Sequence, residues 1–171
     1  MRTRLIVALS LLASAPDLMG SAAFAAEPSG CDKFKWPIER ERAALTAPDR
    51  AKLASGAELT GLTGVTLGLT SPADAKLPSP PERKPKDGTF AGFVSFKAPH
   101  KAGAYTISLS DGAWIDVVQD DALQKPMEFS GATDCAGIRK TIKVDLSAGP
   151  FVIQISGAAA NSISLAVLPS D

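Results

Sequence analysis

Five aspartates in the second half of the chain are its best candidates for metal binding. They are Asp111, Asp116, Asp120, Asp121 and Asp134. Calcium takes six to eight hard oxygen ligands, which carboxylates at neighbouring strand ends can supply. Asp-Gly and Asp-Asp pairs are also typical of turns, and no EF-hand or nonapeptide spacing accompanies them. We therefore predict no bound cofactor, with calcium as the alternative.

The sequence contains few of the residues that catalytic sites usually require. The chain has one histidine, His100, whereas a non-haem iron site needs two histidines and a carboxylate and a zinc site needs several His or Cys ligands. Iron dioxygenase chemistry is therefore not supported, and no nucleophile elbow, phosphate loop or His-Glu-x-x-His motif occurs. The enzymatic alternative is a small secreted hydrolase that uses Asp116, Asp120 or Asp121 with His100.

Trp114 and Asp116 form a candidate ligand surface. They alternate with Ile115 and Val117, so if these aliphatic residues fill the core, the indole and the carboxylate lie on the opposite face. An exposed indole beside a hydrogen-bond acceptor suits stacking against a sugar ring. The favoured alternative is that the N-terminal segment covers Trp114, through Trp36, Ile38 or Leu45.

The two cysteines, Cys31 and Cys135, are predicted to form a disulfide. An oxidising compartment would pair them, and closing so long a loop contributes up to about 4.7 kcal/mol in the chain-entropy model. The alternative, a lipid on Cys31, is disfavoured because Pro28-Ser29-Gly30 is a poor lipoprotein signal.

Residues 1–25 have the layout of a secretory signal peptide. Arg2 and Arg4 provide the positive start, residues 5–13 are apolar except for Ser10, and Ala23-Phe24-Ala25 is a small-residue cleavage site. The apolar run is too short to span a bilayer core about 30 Å thick. We predict export to the periplasm or the cell exterior, with no membrane span after cleavage.

The remaining chain divides into a helical segment, 26–56, and a β-sandwich, 57–171. Pro37 suits the first turn of a helix that ends before Pro48, and residues 49–54 are expected to add another turn or two. From Val65 apolar residues alternate with polar ones in short runs separated by turns, such as Tyr105, Ile107 and Leu109. This pattern predicts an all-β fold, an antiparallel, jelly-roll-like sandwich of seven or eight strands, with the helix on its side or end. Residues 71–88, rich in proline and charge, are expected to be a solvated loop.

Three segments between positions 90 and 168 resemble bacterial pre-peptidase C-terminal domains and, less specifically, carbohydrate-binding modules. Residues 103–109 (GAYTISL) are similar to the G-x-Y-x-I/V-x-L strand of that family, and residues 114–117 (WIDV) to its D-x-D-L strand. Residues 146–157 (LSAGPFVIQISG) are similar to its L-x-A-G-x-Y-x-I-x-I-x-G segment. The resemblance implies a jelly-roll-like binding or accessory module of secreted enzymes. Trp114 replaces the first aspartate of the motif, so the resemblance does not imply calcium binding here.

The charge balance excludes one large class of partners. Lysine plus arginine and aspartate plus glutamate number 18 each, so the chain has no basic field for nucleic acid. We therefore expect an exported binding or accessory protein that recognises an envelope glycan, a protein or a small ligand.

Overall fold

Two β-sheets packed face to face carry most of the regular structure in this computed structural model, which describes residues 26–97 and 101–170. A 3-10 turn (Cys31–Lys33) and one helix, α1 (Glu39–Thr46), come first. The strands that follow are β1 (Ala51–Leu53), β2 (Ala57–Leu59), β3 (Gly64–Gly68), β4 (Phe90–Phe96), β5 (Gly103–Leu109), β6 (Trp114–Gln119), β7 (Ala122–Gln124), β8 (Glu128–Gly131), β9 (Lys140–Leu146), β10 (Phe151–Ala158) and β11 (Ser162–Pro169). The predicted signal peptide, residues 1–25, lies outside the described residues.

The strand order confirms the all-β sandwich. One sheet has the order β1-β3-β11-β5-β9-β8 and the other β2-β4-β10-β6-β7. Successive strands from β3 to β6, and again from β9 to β11, alternate between the sheets, which is the connectivity of a jelly roll. The described residues contain eleven strands rather than seven or eight, because β1, β2 and β7 have only three residues each.

Two edge pairs correct the expectation of a purely antiparallel sandwich. β1 runs parallel to β3, with Ala51 opposite Val65, and β2 runs parallel to β4, with Ala57 opposite Val94. β1 also replaces the helical turns expected for residues 49–54. In this segment, pairing with β3 satisfies the backbone N–H and C=O groups in place of a helix, so tertiary contacts decide the local structure.

The main core lies between the sheets and follows the period-two pattern of the sequence. Val65, Ile107, Leu109, Ile153 and Leu165 have no exposed surface, and each such side chain stabilises the fold by about 1.5–3 kcal/mol through its burial. The strands thus bury their aliphatic faces as the alternation predicts.

A second apolar layer lies on the outer face of the six-stranded sheet. Ile38 and Leu45 of the N-terminal segment pack there with Cys135, Ile138 and Ala166. The segment therefore packs on one side of the sandwich, over this sheet face, because the face offers apolar and small side chains. The predicted disulfide is confirmed, since Cys31 and Cys135 are bonded with an S–S distance of 2.04 Å.

Candidate functional site

The acidic residues singled out from the sequence are distributed over separate turns and one strand. Asp120 and Asp121 are the two left-handed residues of the β6–β7 hairpin turn, with φ of 53° and 59°. The Asp111 carboxylate accepts a hydrogen bond from the N–H of Gly112, and the Asp134 carboxylate accepts one from the Ser29 hydroxyl. Within the described residues, no three His, Cys, Asp or Glu side chains are grouped so that they could hold a metal ion. The aspartates shown here therefore serve turns and local contacts.

The hydrolase alternative depends on residues that the described structure does not bring together. Asp116 lies within β6, whereas Asp120 follows the end of that strand, about 13 Å further along the extended chain. His100 lies outside the described residues. Asp116 is 5% exposed, and both of its carboxylate oxygens already accept hydrogen bonds. As placed here, Asp116 is buried beneath the strap, with its two oxygens bonded to Trp114 and Glu82.

Trp114 and Asp116 do lie on the face of β6 opposite the core, as the alternation predicts. The indole Nε1–H of Trp114 donates to Asp116 Oδ1 at 2.8 Å, and the backbone N–H of Glu82 donates to Oδ2 at 3.3 Å. Glu82 belongs to residues 71–88, which we call the strap. The strap lies over the outer face of the five-stranded sheet, so the pair does not form an open surface.

Gln154 on β10 holds the strap at a second point. Its side-chain Oε1 accepts a hydrogen bond from the backbone N–H of Ser79 at 2.8 Å, and its Nε2 donates to the Ser79 carbonyl at 3.2 Å. Gln154 has no exposed surface, and Ala75 of the strap is also buried. The charged side chains of this segment are exposed, as expected of a surface loop, but its backbone is bound to polar groups of the sheet face beneath.

Two cations contact the Trp114 ring, and neither belongs to the N-terminal segment that was expected to cover it. The guanidinium carbon of Arg83, on the strap, lies 4.1 Å from the ring centroid, and Lys140 Nζ lies 4.7 Å from it. Lys140 Nζ also donates to the Ala113 carbonyl at 3.1 Å. Trp114 is thus contacted by the strap and by Lys140 of β9, neither of which the sequence pattern connected with β6.

Burial changes the pKa of two groups in this cluster. It raises the pKa of Asp116 above its ordinary value, although the hydrogen bonds from Trp114 and Glu82 act in the opposite direction. It also lowers the pKa of Lys140, and the nearby Arg83 and Arg139 cations lower it further. In both groups burial is the largest cause of the change in pKa.

A cavity lies at one end of the sandwich, and we call it the end cavity. It has a volume of about 550 Å³. Its walls include Leu59, Leu62, Phe96, Tyr105, Phe151 and Pro169. Its position between the ends of both sheets makes it an opening into the core.

Aromatic side chains line part of the end cavity. Phe96 and Phe151 face each other across β4 and β10, with ring centroids 4.4 Å apart and planes 3° from parallel. The Tyr105 hydroxyl donates to the Lys101 carbonyl, which fixes that ring beside them. The sequence pattern placed Tyr105 on an alternating strand with Ile107 and Leu109, and no spacing signal marks that the core is open at this end.

The comparisons with known proteins leave the family unassigned. No protein-family model matches this chain, and neither does any curated protein. Among the described residues, no helix combines the length and apolar character that crossing a membrane requires.

Proposed function

We propose that this protein is an exported, non-enzymatic binding protein whose end cavity takes the apolar body of a small ligand. The observation that carries the proposal is the cavity itself, with its volume of about 550 Å³ and its aromatic and aliphatic walls. Small-molecule sites are typically concave, mostly apolar and about 300–1,000 Å³ in volume. Phe96, Phe151 and Tyr105 supply flat apolar surfaces against which a ring or an alkyl chain packs.

Export is supported by two independent features. The first 25 residues have signal-peptide character. The bond between Cys31 and Cys135 is of a kind that persists in the periplasm or outside the cell and is rare in the cytosol. An exported binding module is also what the resemblance to pre-peptidase C-terminal domains implies.

The proposal is tested with N-phenyl-1-naphthylamine, a neutral apolar probe whose fluorescence rises when it leaves water. Gly61 lines the end cavity, and a Cβ atom added there meets nothing within 4 Å. Gly61→Phe should therefore place a ring at the cavity without backbone strain and weaken probe binding about tenfold, or ~1.4 kcal/mol. Gly112→Phe is the matched control, because Gly112 is equally open and lies outside the cavity.

A second variant, Leu59→Trp, places a larger side chain on a different wall of the end cavity. It should fill part of the cavity and also weaken probe binding. Circular dichroism and thermal unfolding establish that each variant is folded. Wild-type protein that does not bind the probe, or folded Gly61→Phe and Leu59→Trp variants that bind it as tightly as Gly112→Phe does, would overturn the proposal.

A further inference from the structure

One side of the sandwich carries exposed apolar side chains. Among the described residues, the large apolar side chains that remain exposed are Leu123 at 43%, Met127 at 61% and Phe129 at 61%. All three lie in the run 120–129, in which every residue except Gln124 is exposed. Apolar side chains grouped in this way typically mark an interaction surface.

The same run forms an edge of both sheets. β7 is the last strand of the five-stranded sheet and β8 is the last strand of the six-stranded sheet, and residues 125–127 connect them. Within the part of the chain that the structure describes, each strand therefore has a strand partner on one side only. The backbone groups on its other side are available for pairing with another chain.

The β6–β7 hairpin determines which backbone groups of β7 point outward. Gln119 and Ala122 flank its two-residue turn and form a hydrogen-bonded pair. Along an antiparallel ladder such pairs alternate with pairs whose N–H and C=O groups point away from each other. Leu123 and Val118 form the next pair, so the N–H and C=O of Leu123 point to the free edge.

The charges on either side of Leu123 match a second copy of this chain. Asp121 lies two residues before Leu123 and Lys125 lies two residues after it, and both residues are exposed. Antiparallel pairing of two copies about Leu123 places position 121 of each copy opposite position 125 of the other. Two ion pairs then form, one on each side of the two leucines.

We propose that two copies of this chain form a two-fold dimer by pairing their β7 strands, which joins their five-stranded sheets into one continuous sheet. A two-fold axis perpendicular to that sheet keeps both six-stranded sheets on the same side of it. The two β8 edges therefore also face each other, with Met127 and Phe129 between them. The dimer thus accounts for all three exposed apolar side chains.

The test reverses each charge in the full-length protein after signal cleavage. Analytical ultracentrifugation over a concentration series measures the dimer dissociation constant, and wild-type protein should reach twice the mass of one chain. Asp121→Lys alone places lysine opposite lysine, and Lys125→Asp alone places carboxylate opposite carboxylate, so each should weaken dimerisation about tenfold or more. An equal mixture of the two variants should dimerise as tightly as wild type, because each contact then joins opposite charges.

Glu58→Lys and Lys52→Asp are the matched controls. They make the same charge changes at exposed positions of β2 and β1, which are the opposite edges of the two sheets, so they should leave dimerisation unchanged. The mixture contains both altered chains, so a loss of stability in either one does not imitate the expected recovery.

Three results would each overturn the proposal. They are a wild type that remains monomeric up to about 1 mM, single variants that dimerise as tightly as wild type, and a mixture of the two variants that remains monomeric. The end cavity includes neither Asp121 nor Lys125, so the outcome is independent of the binding function proposed above.

Discussion

The side chain of Gln154 forms two hydrogen bonds with the backbone of Ser79, which lies 75 residues earlier in the chain. One bond is donated by the Ser79 N–H at 2.8 Å and the other is accepted by its carbonyl at 3.2 Å. Both the donor and the acceptor of the Gln154 amide are therefore hydrogen-bonded to one residue of the strap. Together with the bond from the Glu82 N–H to Asp116, this contact holds a proline-rich segment against the sheet without regular secondary structure.

Gln154→Ala should release the strap. The substitution removes both hydrogen bonds and leaves a void at a site with no exposed surface, so we expect a loss of about 2–3 kcal/mol in the free energy of unfolding. Urea denaturation measures that loss, and limited trypsin digestion should cut faster after Arg83 and Lys86. Gln124→Ala is the control, because the Gln124 side chain bonds to the nearby Gln119 and Ala122 carbonyls, away from the strap. Unchanged cleavage in Gln154→Ala would contradict a role for Gln154 in holding the strap.

The sandwich could be predicted because its signal is local. The alternation of Tyr105, Ile107 and Leu109 places three side chains on one face of a strand whatever its partners are. The disulfide could be predicted because two cysteines in an oxidising compartment have one pairing within the chain. The edge strands could not, since three-residue segments such as β1 carry too little periodicity and depend on β3 for pairing.

The candidate site was harder to predict because it depends on contacts between distant segments. Trp114 and Asp116 were correctly placed on the outer face of β6, but proline and charge in residues 71–88 are also what a solvated loop contains. Gln154 binds the loop to the sheet. In the sequence it is a single polar residue within a strand, so nothing there indicates that it has a partner in residues 71–88. The end cavity is defined by space that side chains leave unfilled, which no residue pattern records.

Asp116 should make the protein less stable as the pH rises from acid to neutral. Burial raises its pKa above the ordinary value of 3.8, so the folded state binds the proton more tightly than the unfolded chain does. Below pH 3.8 the carboxyl is protonated in both states, and its contribution to stability is fully present. That contribution is lost as the pH rises through the folded pKa, because the buried group must then ionise.

Asp116→Asn removes this titration, and the comparison with wild type isolates it from the other carboxyl groups. The wild-type free energy of unfolding, measured in urea at successive pH values from about 3 to 7, should fall relative to that of Asp116→Asn across this window. Asp111→Asn is the control, because Asp111 is exposed and bonds its neighbour Gly112. A wild-type curve that rises relative to Asp116→Asn would mean that the hydrogen bonds from Trp114 and Glu82 outweigh burial.

The disulfide should account for a large share of the stability of the N-terminal segment. The bond between Cys31 and Cys135 closes a loop with a sequence separation of 104, and removal of a native disulfide typically costs about 2–5 kcal/mol. We expect the double variant Cys31→Ser/Cys135→Ser to lose that amount in urea denaturation. Denatured, unreduced wild-type protein should show no free thiol, and two reactive thiols there would contradict the bond.

Gly64 should be indispensable for the packing of α1 against the six-stranded sheet. A Cβ atom at position 64 would lie 2.1 Å from the carbonyl oxygen of Ala44 and 2.7 Å from its carbon. These are backbone atoms of the helix, so α1 would have to move. Gly64→Ala should therefore destabilise the protein by about 1–3 kcal/mol.

Gly112→Ala provides the comparison for Gly64→Ala. A Cβ atom at Gly112 meets nothing within 4 Å, so that variant should remain within about 0.5 kcal/mol of wild type. Measuring both by urea denaturation separates the steric effect at Gly64 from the general effect of replacing glycine by alanine in the unfolded chain. Equal stability of the two variants would mean that α1 does not approach β3 closely enough to require glycine.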